Sequence, residues 1–399
     1  MSLVTPNTLW GCSEPLSLYL HVPFCRKKCS YCGFFSCDSG ASEDLRPWLK
    51  NIIKEFLSWK ELVNLSGVHT VYFGGGTPSV LSLTQWRELF DVLSLTTLRP
   101  SHIPKERFAT IEVNPGSLNE DKLKLWWDRG VGRLSLGVQS FNKDVLIKSG
   151  RDVVPKEIFQ ALELIKHSWP GQWSLDLICG LPGQTGYILR EDLESALSWS
   201  PDHLALYEYI QEPETRLDQE IKAGLTVPLA EDRQSSWIKA RDFLESQGYQ
   251  NYEISNFSLP GRESLHNLAY WESRPYLGLG PGATSFLRSE SGWARFSNPE
   301  SWNWSGANLA PWGDRIRENL GPEELLLELL LSGLRLRSGV NRLRFEYLMG
   351  KTSSDLWKGV KDADRGFYRE DANTWGLTSQ GRDIQDWLLT RYDTSWICT

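Results

Sequence analysis

Between residues 16 and about 210, short β-rich apolar runs alternate with longer stretches of helical period. Residues 16–22, 70–73, 109–113, 133–138, 174–178 and 203–207 predict six strands. Residues 45–65, with Trp48, Leu49, Ile52, Ile53, Phe56 and Leu57 close to a 3.6 period, predict the first intervening helix. Residues 83–95, 120–129, 156–167 and 190–199 predict four more. Ser82 and the Ser117–Asn119 segment offer N-cap side chains just ahead of two of them. Six strand–helix repeats predict a parallel sheet with right-handed crossovers. It can close partly as a (β/α)6 barrel or lie open as a doubly wound sheet. Polar and glycine-rich motifs recur at the C-terminal ends of successive strands, where barrel sites lie. An open sheet would gather them at one switch point. The expected fold is therefore α/β, a partial (β/α)6 barrel.

After residue 210 the pattern changes. Residues 230–247 read as helical and 249–257 as a strand or hairpin arm. GLGPG at 278–282 is too rich in Gly and Pro for either element. Residues 299–313, full of Trp, Asn, Ser and Pro, predict an irregular connection. From Gly321 a strongly helical segment follows, then 344–349, a turn-like stretch, 375–382 and a final amphipathic helix. Helix, helix, short strand pair and helix suggest a small winged-helix-like domain. The expected division is a barrel over 1–215, an elaborated extension over 216–315 and the winged-helix-like domain over 316–399.

The formal net charge of −7 makes nucleic acid an unsuitable partner. No apolar run is long enough to span a bilayer. Residues 1–20 carry no Lys or Arg, so they lack the charged start of a signal or transit peptide. Seven cysteines, three of them clustered, do not read as a disulfide framework, and a reducing cytoplasm is the expected location. Nineteen tryptophans are many; those at 293, 302, 304, 312, 357, 375, 387 and 396 are expected to pack, with flat apolar ligands as the other reading.

The sharpest chemical signal is Cys25-x3-Cys29-x2-Cys32, directly after the first predicted strand. Three thiolates on one short loop can face a common centre. Structural zinc wants four ligands, and a four-iron cluster is usually closed by four cysteines. Three would leave one iron open to bind something else. A zinc knuckle with a distant fourth ligand is the alternative.

YLHVPFCRKKCSYCGF at 19–34 resembles the cluster loop of radical S-adenosylmethionine (SAM) proteins. It is most similar to the coproporphyrinogen dehydrogenase family and its relatives, the HemW-type haem chaperones. The resemblance continues through FGGGTPS, EVNPGS, RLSLGVQSF, DLICGLPGQT, HLALYEY, YEISNF, HNLAYW and GLGPGATSF, nearly the whole chain in order. It implies that Cys25, Cys29 and Cys32 hold a 4Fe–4S cluster whose open iron takes the amino and carboxylate groups of SAM. It places Tyr19, Tyr31, Gly76 and Thr77 beside the cofactor, and Glu112, Gln139, Arg151 and Asp176 in contact with SAM. The residue types suit this. Glu112 would accept from a ribose hydroxyl or an ammonium group, and Gln139 can donate and accept. The Arg151 fork fits a carboxylate. Asp176 in an apolar run is costly unless paired. Singly, each also has an ordinary structural reading.

His266-Asn-Leu-Ala-Tyr270-Trp271 resembles the signature of the haem-chaperone branch. On a helix His266 and Tyr270 share a face. His266 is a candidate haem ligand, with His21 and Cys179 behind it, and Trp271 a candidate porphyrin platform. A capped helix with buried aromatics is the alternative. Two departures separate the branches. The decarboxylating members carry a further cysteine two residues after the third, where this chain has Phe34, and a long N-terminal segment, where only twenty-four residues precede Cys25. Cys37 lies too far along to substitute. The expected function is a haem chaperone that binds haem, one 4Fe–4S cluster and SAM, and hands haem to an acceptor protein. The alternative is an oxygen-independent coproporphyrinogen III dehydrogenase; a zinc-stabilised binding module is a third class. A homodimer is left open.

Overall fold

The computed structural model describes residues 14–38, 45–60, 63, 65, 68–289, 292–301 and 316–398. Six parallel strands form its centre: β1 (Ser17–Val22), β2 (Val71–Gly75), β3 (Ala109–Val113), β4 (Arg133–Gln139), β5 (Gln172–Cys179) and β6 (His203–Glu208). They pair in sequence order, β1 to β6, with no reversal. A sheet wound in one direction is a barrel wall; a doubly wound sheet would reverse its order at a switch point. Helices α1 (Arg46–Lys60), α2 (Leu83–Leu93), α3 (Glu120–Asp128), α4 (Lys143–Lys148), α5 (Pro155–Ser168) and α6 (Gly186–Leu197) lie between the strands. Ser82 caps α2 in a reciprocal box with Gln85, and the Asn119 side chain caps α3 at the Lys122 amide. The expected extension of α1 to residue 65 falls partly on residues outside those described.

The strands alternate. Leu18, Leu20, Val71, Phe73, Ile111, Leu134, Leu136, Leu175, Leu177, Leu204 and Leu206 are wholly buried in the main core, with Trp86, Phe90 and Trp126 from the helices. Fully burying one such aliphatic side chain is worth roughly 1.5–3 kcal/mol. The intervening positions, among them Tyr19, Tyr72, Glu112, Ser135, Ser174 and Asp176, are polar or aromatic and meet one another on the opposite face.

The sheet then grows at both edges. The hairpin β7 (Gln250–Glu253) and β8 (Asn256–Ser258) adds antiparallel to β6, behind helix α7 (Ala230–Ser246). Helix α8 (Leu265–Trp271) carries HNLAYW. On the other edge β9 (Tyr276–Leu279) runs parallel to β1, followed by antiparallel β10 (Thr284–Ser289), β11 (Gly292–Ser297) and β12 (Ile316–Asn319). Here the expectation for GLGPG is corrected: Gly278 and Leu279 are strand. A Cβ at Gly278 would stand 2.2 Å from the Thr284 carbonyl oxygen, so the glycine permits the close approach of β10.

The C-terminal segment has its own core, built on α9 (Pro322–Gly333), α10 (Arg342–Met349) and α11 (Gln385–Arg391). The paired strands Tyr368–Glu370 and Thr374–Leu377 take Val340–Asn341 as a third member. Trp293, Trp375 and Trp396 are buried as packing residues, while Trp387 is 49% exposed. Trp302, Trp304, Trp312 and most of the connection expected over 299–313 lie outside the described residues. Among the described residues no helix is long and apolar enough to cross a membrane.

Candidate functional site

The cysteine loop leaves the end of β1. A short parallel pairing of Phe24–Cys25 with Cys37–Asp38 ties its two ends together. The Ser30 amide donates to the Ser149 carbonyl (3.1 Å) and the Leu217 amide to the Ser30 carbonyl (2.7 Å), fixing the loop's middle against the ends of β4's and β6's connections. Cys25, Cys29 and Cys32 are not joined in disulfides. Thr77 Oγ1 donates to Cys25 Sγ (3.5 Å) and Arg151 Nη1 to Cys29 Sγ (3.5 Å). Burial pushes the Cys25 and Cys32 thiols up, so holding them as thiolates calls for a positive metal centre beside them. Among the described residues no three His, Cys, Asp or Glu side chains form a group that could hold a single metal ion. A four-iron cluster gives each thiolate a separate iron, and three cysteine side chains on one loop fit that donor set.

Around the loop stand the strand ends. Arg151, just after α4, also donates through Nη2 to the Gly137 carbonyl, and its Nε is buried without a partner. Burial works against its charge, but Tyr31 and Cys29 beside it more than offset this and hold the guanidinium above its ordinary value. β4 ends in a register shift, and Gln139 takes a left-handed φ of 71°. That bulge re-aims its amide. A Cβ on Gly137 would lie 3.0 Å from Gln139 Nε2 and 3.1 Å from Arg151 Nη2, so the two side chains converge there.

Three amides of the glycine segment are taken up inside the protein. Gly75 (φ 110°) donates to Glu112 Oε2 at 3.1 Å. The Gly76 amide goes to the Val22 carbonyl and the Thr77 amide to that of Phe24. Tyr72 Oη also donates to Glu112 Oε1 (2.9 Å). Burial raises the Glu112 carboxyl to about 7, against these two donors. Tyr19 Oη and His21 Nδ1 are hydrogen-bonded at 3.1 Å, sharing a face as their spacing predicts, and His21 Nε2 bonds the Phe35 carbonyl (2.8 Å).

Asp176 accepts from the hydroxyls of Ser135 (3.0 and 2.9 Å) and Ser174 (3.2 Å). Its carboxyl is raised by burial, which Arg133 and the two serines partly oppose. Ser174 also bonds His203 Nδ1 (2.8 Å), whose Nε2 meets the Tyr252 hydroxyl (2.9 Å). Tyr72, Arg133, Ser135, Ser174 and His203 were not singled out from the sequence. The period-2 alternation of β2 to β6 was the available signal.

His266 lies below this group, 3% exposed. Its Nδ1 bonds Thr70 Oγ1 (2.8 Å) and its Nε2 the Tyr270 hydroxyl (3.0 Å); its ring stacks on Tyr72 at 4.9 Å. Burial lowers its pKa to about 3. Coordinating a metal through either nitrogen would require breaking one of these bonds. Trp271 carries the Arg335 guanidinium 4.4 Å over its ring. Cys179 is buried, its thiol on the Arg233 carbonyl (3.7 Å). Phe34, two residues after Cys32, is 67% exposed.

Residues 19–196 match the model of the Radical SAM superfamily. Heme chaperone HemW of Lactococcus lactis subsp. lactis (strain IL1403) is 35% identical over 339 residues, 84% of this chain and 85% of that protein. Heme chaperone HemW of Bacillus subtilis (strain 168) is 34% identical over 371 residues, covering 92% and 96%. The mitochondrial radical S-adenosyl methionine domain-containing protein 1 of Bos taurus is 34% identical over 407 residues, covering 96% and 89%. Among solved structures, coproporphyrinogen III oxidase (HemN) from Escherichia coli superposes with a TM-score of 0.79 at 23% identity, over 95% of this chain and 90% of that one. That likeness establishes the shared fold, and the relatives of more than 30% identity establish the closer kinship. The chain belongs to the HemW-type family of the radical SAM superfamily.

Proposed function

We propose that this protein is a haem chaperone that binds haem, one 4Fe–4S cluster and SAM, and passes haem to an acceptor protein. The observation that carries the reading is the kinship with two proteins named heme chaperone over more than four-fifths of the chain. Phe34 supports it locally: an exposed phenyl ring stands where the decarboxylating relatives described above carry a further cysteine. The oxidase reading is favoured by the shared fold alone.

In this reading Cys25, Cys29 and Cys32 are the cluster ligands. The bound cluster supplies an open iron for the amino-acid end of SAM. Arg151 holds the carboxylate of that end by its fork of donors, and its contact with Cys29 keeps the fork beside the loop. Gln139, re-aimed by the bulge, supplies a second polar contact beside it. Tyr19, Tyr31, Gly76 and Thr77 form the walls. Glu112 and Asp176 face the cationic sulfonium and the ribose with carboxylates, each already oriented by two donor groups. His266 is given a structural role here, since both ring nitrogens are bonded and the ring is packed.

The test is anaerobic reconstitution with iron and sulfide, then haem titration followed by absorbance, alongside incubation with SAM, a reductant and coproporphyrinogen III. Stoichiometric haem uptake without turnover is expected. Protoporphyrinogen formed over many turnovers would replace the chaperone with the enzyme.

A further inference from the structure

From Asp176 a single line of hydrogen bonds leads away from the strand ends. Ser174 Oγ bonds Asp176 Oδ1 (3.2 Å) and also meets His203 Nδ1 (2.8 Å). His203 Nε2 meets Tyr252 Oη (2.9 Å), which accepts from the Ser264 amide (3.4 Å). Asp176 and Ser174 come from β5, His203 from β6 and Tyr252 from β7, while Ser264 caps α8. Ser174 and His203 stand opposite each other in the β5–β6 register, and both are fully buried. His203 belongs to HLALYEY and Tyr252 to YEISNF, two motifs to which the cofactor site has given no role.

Valence alone assigns the hydrogens on this line. An ionised carboxylate only accepts, so the one hydroxyl proton of Ser174 goes to Asp176. Ser174 Oγ must then accept from His203, which puts the ring proton on Nδ1. Burial, with Arg133 facing the ring, pushes the His203 pKa well below its ordinary value, so the imidazole is neutral and Nε2 is bare. Tyr252 Oη therefore donates to Nε2. Every proton on the line points towards Asp176. At that end the Ser135 hydroxyl straddles both carboxylate oxygens, at 3.0 and 2.9 Å, and Ser174 bonds Oδ1. Among the described residues Oδ2 accepts from Ser135 alone, so it keeps acceptor capacity for a further donor.

We propose that His203 is a positioning residue of the cofactor site: acting through Ser174, it turns Asp176 so that Oδ2 meets a hydroxyl-bearing ligand, and Tyr252 holds His203 in the tautomer this requires. The proposal rests on the SAM reading of Asp176 and deepens it, since the group received is the ribose diol, which donates a hydroxyl proton to the carboxylate. Without the His203 donor, the Ser174 hydroxyl loses the contact that sets its rotamer, and Asp176 loses one of the two groups that set its plane.

Equilibrium dialysis of the reconstituted full-length protein compares SAM with an analogue lacking both ribose hydroxyls. Wild type should prefer SAM about tenfold or more, as a charge-assisted hydrogen bond does, and Asp176→Ala should abolish the preference. His203→Phe keeps a buried ring without donors; it should bring SAM down towards the analogue and leave the analogue unchanged. Tyr252→Phe removes one hydroxyl and keeps the ring, and it should lower the preference in the same way. In the protein without its cluster, 15N-histidine spectra should show the His203 signal, identified by its absence from His203→Phe, protonated on Nδ1, and Tyr252→Phe should disturb that state. A loss of packing alone would weaken both ligands together. A full preference for SAM in both variants, or a His203 protonated on Nε2 in wild type, would overturn the positioning role while the SAM reading stands. A wild type that binds SAM and the analogue equally would remove the ribose contact of Asp176, and this proposal with it.

Discussion

Under the proposed role of Glu112, its carboxylate must be ionised to face a cationic cofactor. Burial raises that carboxyl to about 7, in spite of the hydrogen bonds from Tyr72 Oη and the Gly75 amide. With a pKa of about 7, roughly one molecule in eleven is ionised at pH 6 and roughly ten in eleven at pH 8. SAM affinity should therefore rise about tenfold between those values and level off above. Glu112→Gln keeps the shape and an acceptor oxygen but removes the titration, so its affinity should be low and nearly flat with pH. Equilibrium dialysis of labelled SAM against the reconstituted protein, from pH 6 to 8.5, reads both profiles. The linkage has a matching sign in stability. A carboxyl raised in the fold contributes most below its unfolded value, and that contribution is lost as pH rises through about 7. SAM affinity that is level over this range in wild type, or that climbs equally in Glu112→Gln, would refute the reasoning.

Serine at any one of Cys25, Cys29 or Cys32 should remove most iron and sulfide after reconstitution, and Cys37→Ser should not; equal loss from Cys37→Ser, read by iron and sulfide assay, would sink the three-ligand set. Asp176→Ala and Arg151→Ala should each weaken SAM by about ten- to a hundredfold, from roughly 1.5–3 kcal/mol per charged hydrogen bond, in the same dialysis. His266→Ala strands the hydroxyls of Thr70 and Tyr270 and opens a cavity, so it should lower stability by about 2–4 kcal/mol in urea unfolding while the haem absorbance bands stay where they are; a shifted band would assign the iron to His266 instead. Trp86→Ala should cost about 3–5 kcal/mol, since Trp86 is fully buried against Phe73, Phe90 and Trp126.

The barrel wall was legible because its strands are short, β-rich and separated by strongly periodic helices. The six expected strands each fall within one or two residues of β1 to β6. The parallel strand at Tyr276–Leu279 was not legible. Its Gly278 answers to a contact with Thr284, a tertiary constraint that local composition reads as a turn. Likewise the glycine run carries no local sign that Glu112, Val22 and Phe24 accept from the amides of Gly75, Gly76 and Thr77. The cysteine loop, Gln139 and Arg151 come together because each ends or follows an element of the wall, which spacing does reveal. Arg133 was hidden for a different reason. A guanidinium is conspicuous only when its surroundings leave it unmatched, and the matching groups come from distant parts of the chain.

The same distinction bears on how the HNLAYW helix relates to function. His266 joins Thr70 beside β2 and, through Thr70, Ser17 of β1 (3.0 Å). At the other end of the helix Trp271 lies under Arg335, which pairs at 3.1 Å with Glu253, a carboxylate 0% exposed that also receives the Ser255 amide. The motif thus ties the start of the barrel to the hairpin at its far edge and to the C-terminal segment. Its His and Tyr side chains are spent on bonds inside the protein, and breaking them would leave buried partners unsatisfied at about 1–3 kcal/mol each. Ligand recognition favours groups whose bonding is unfinished in the free protein, since meeting them costs nothing already made. Among the described residues such groups include Arg151 Nε beside the cysteine loop and, in the motif itself, Trp271 Nε1. In the proposed reading His266 and Tyr270 of the signature helix serve the frame of the barrel, holding Thr70 and β1 in place.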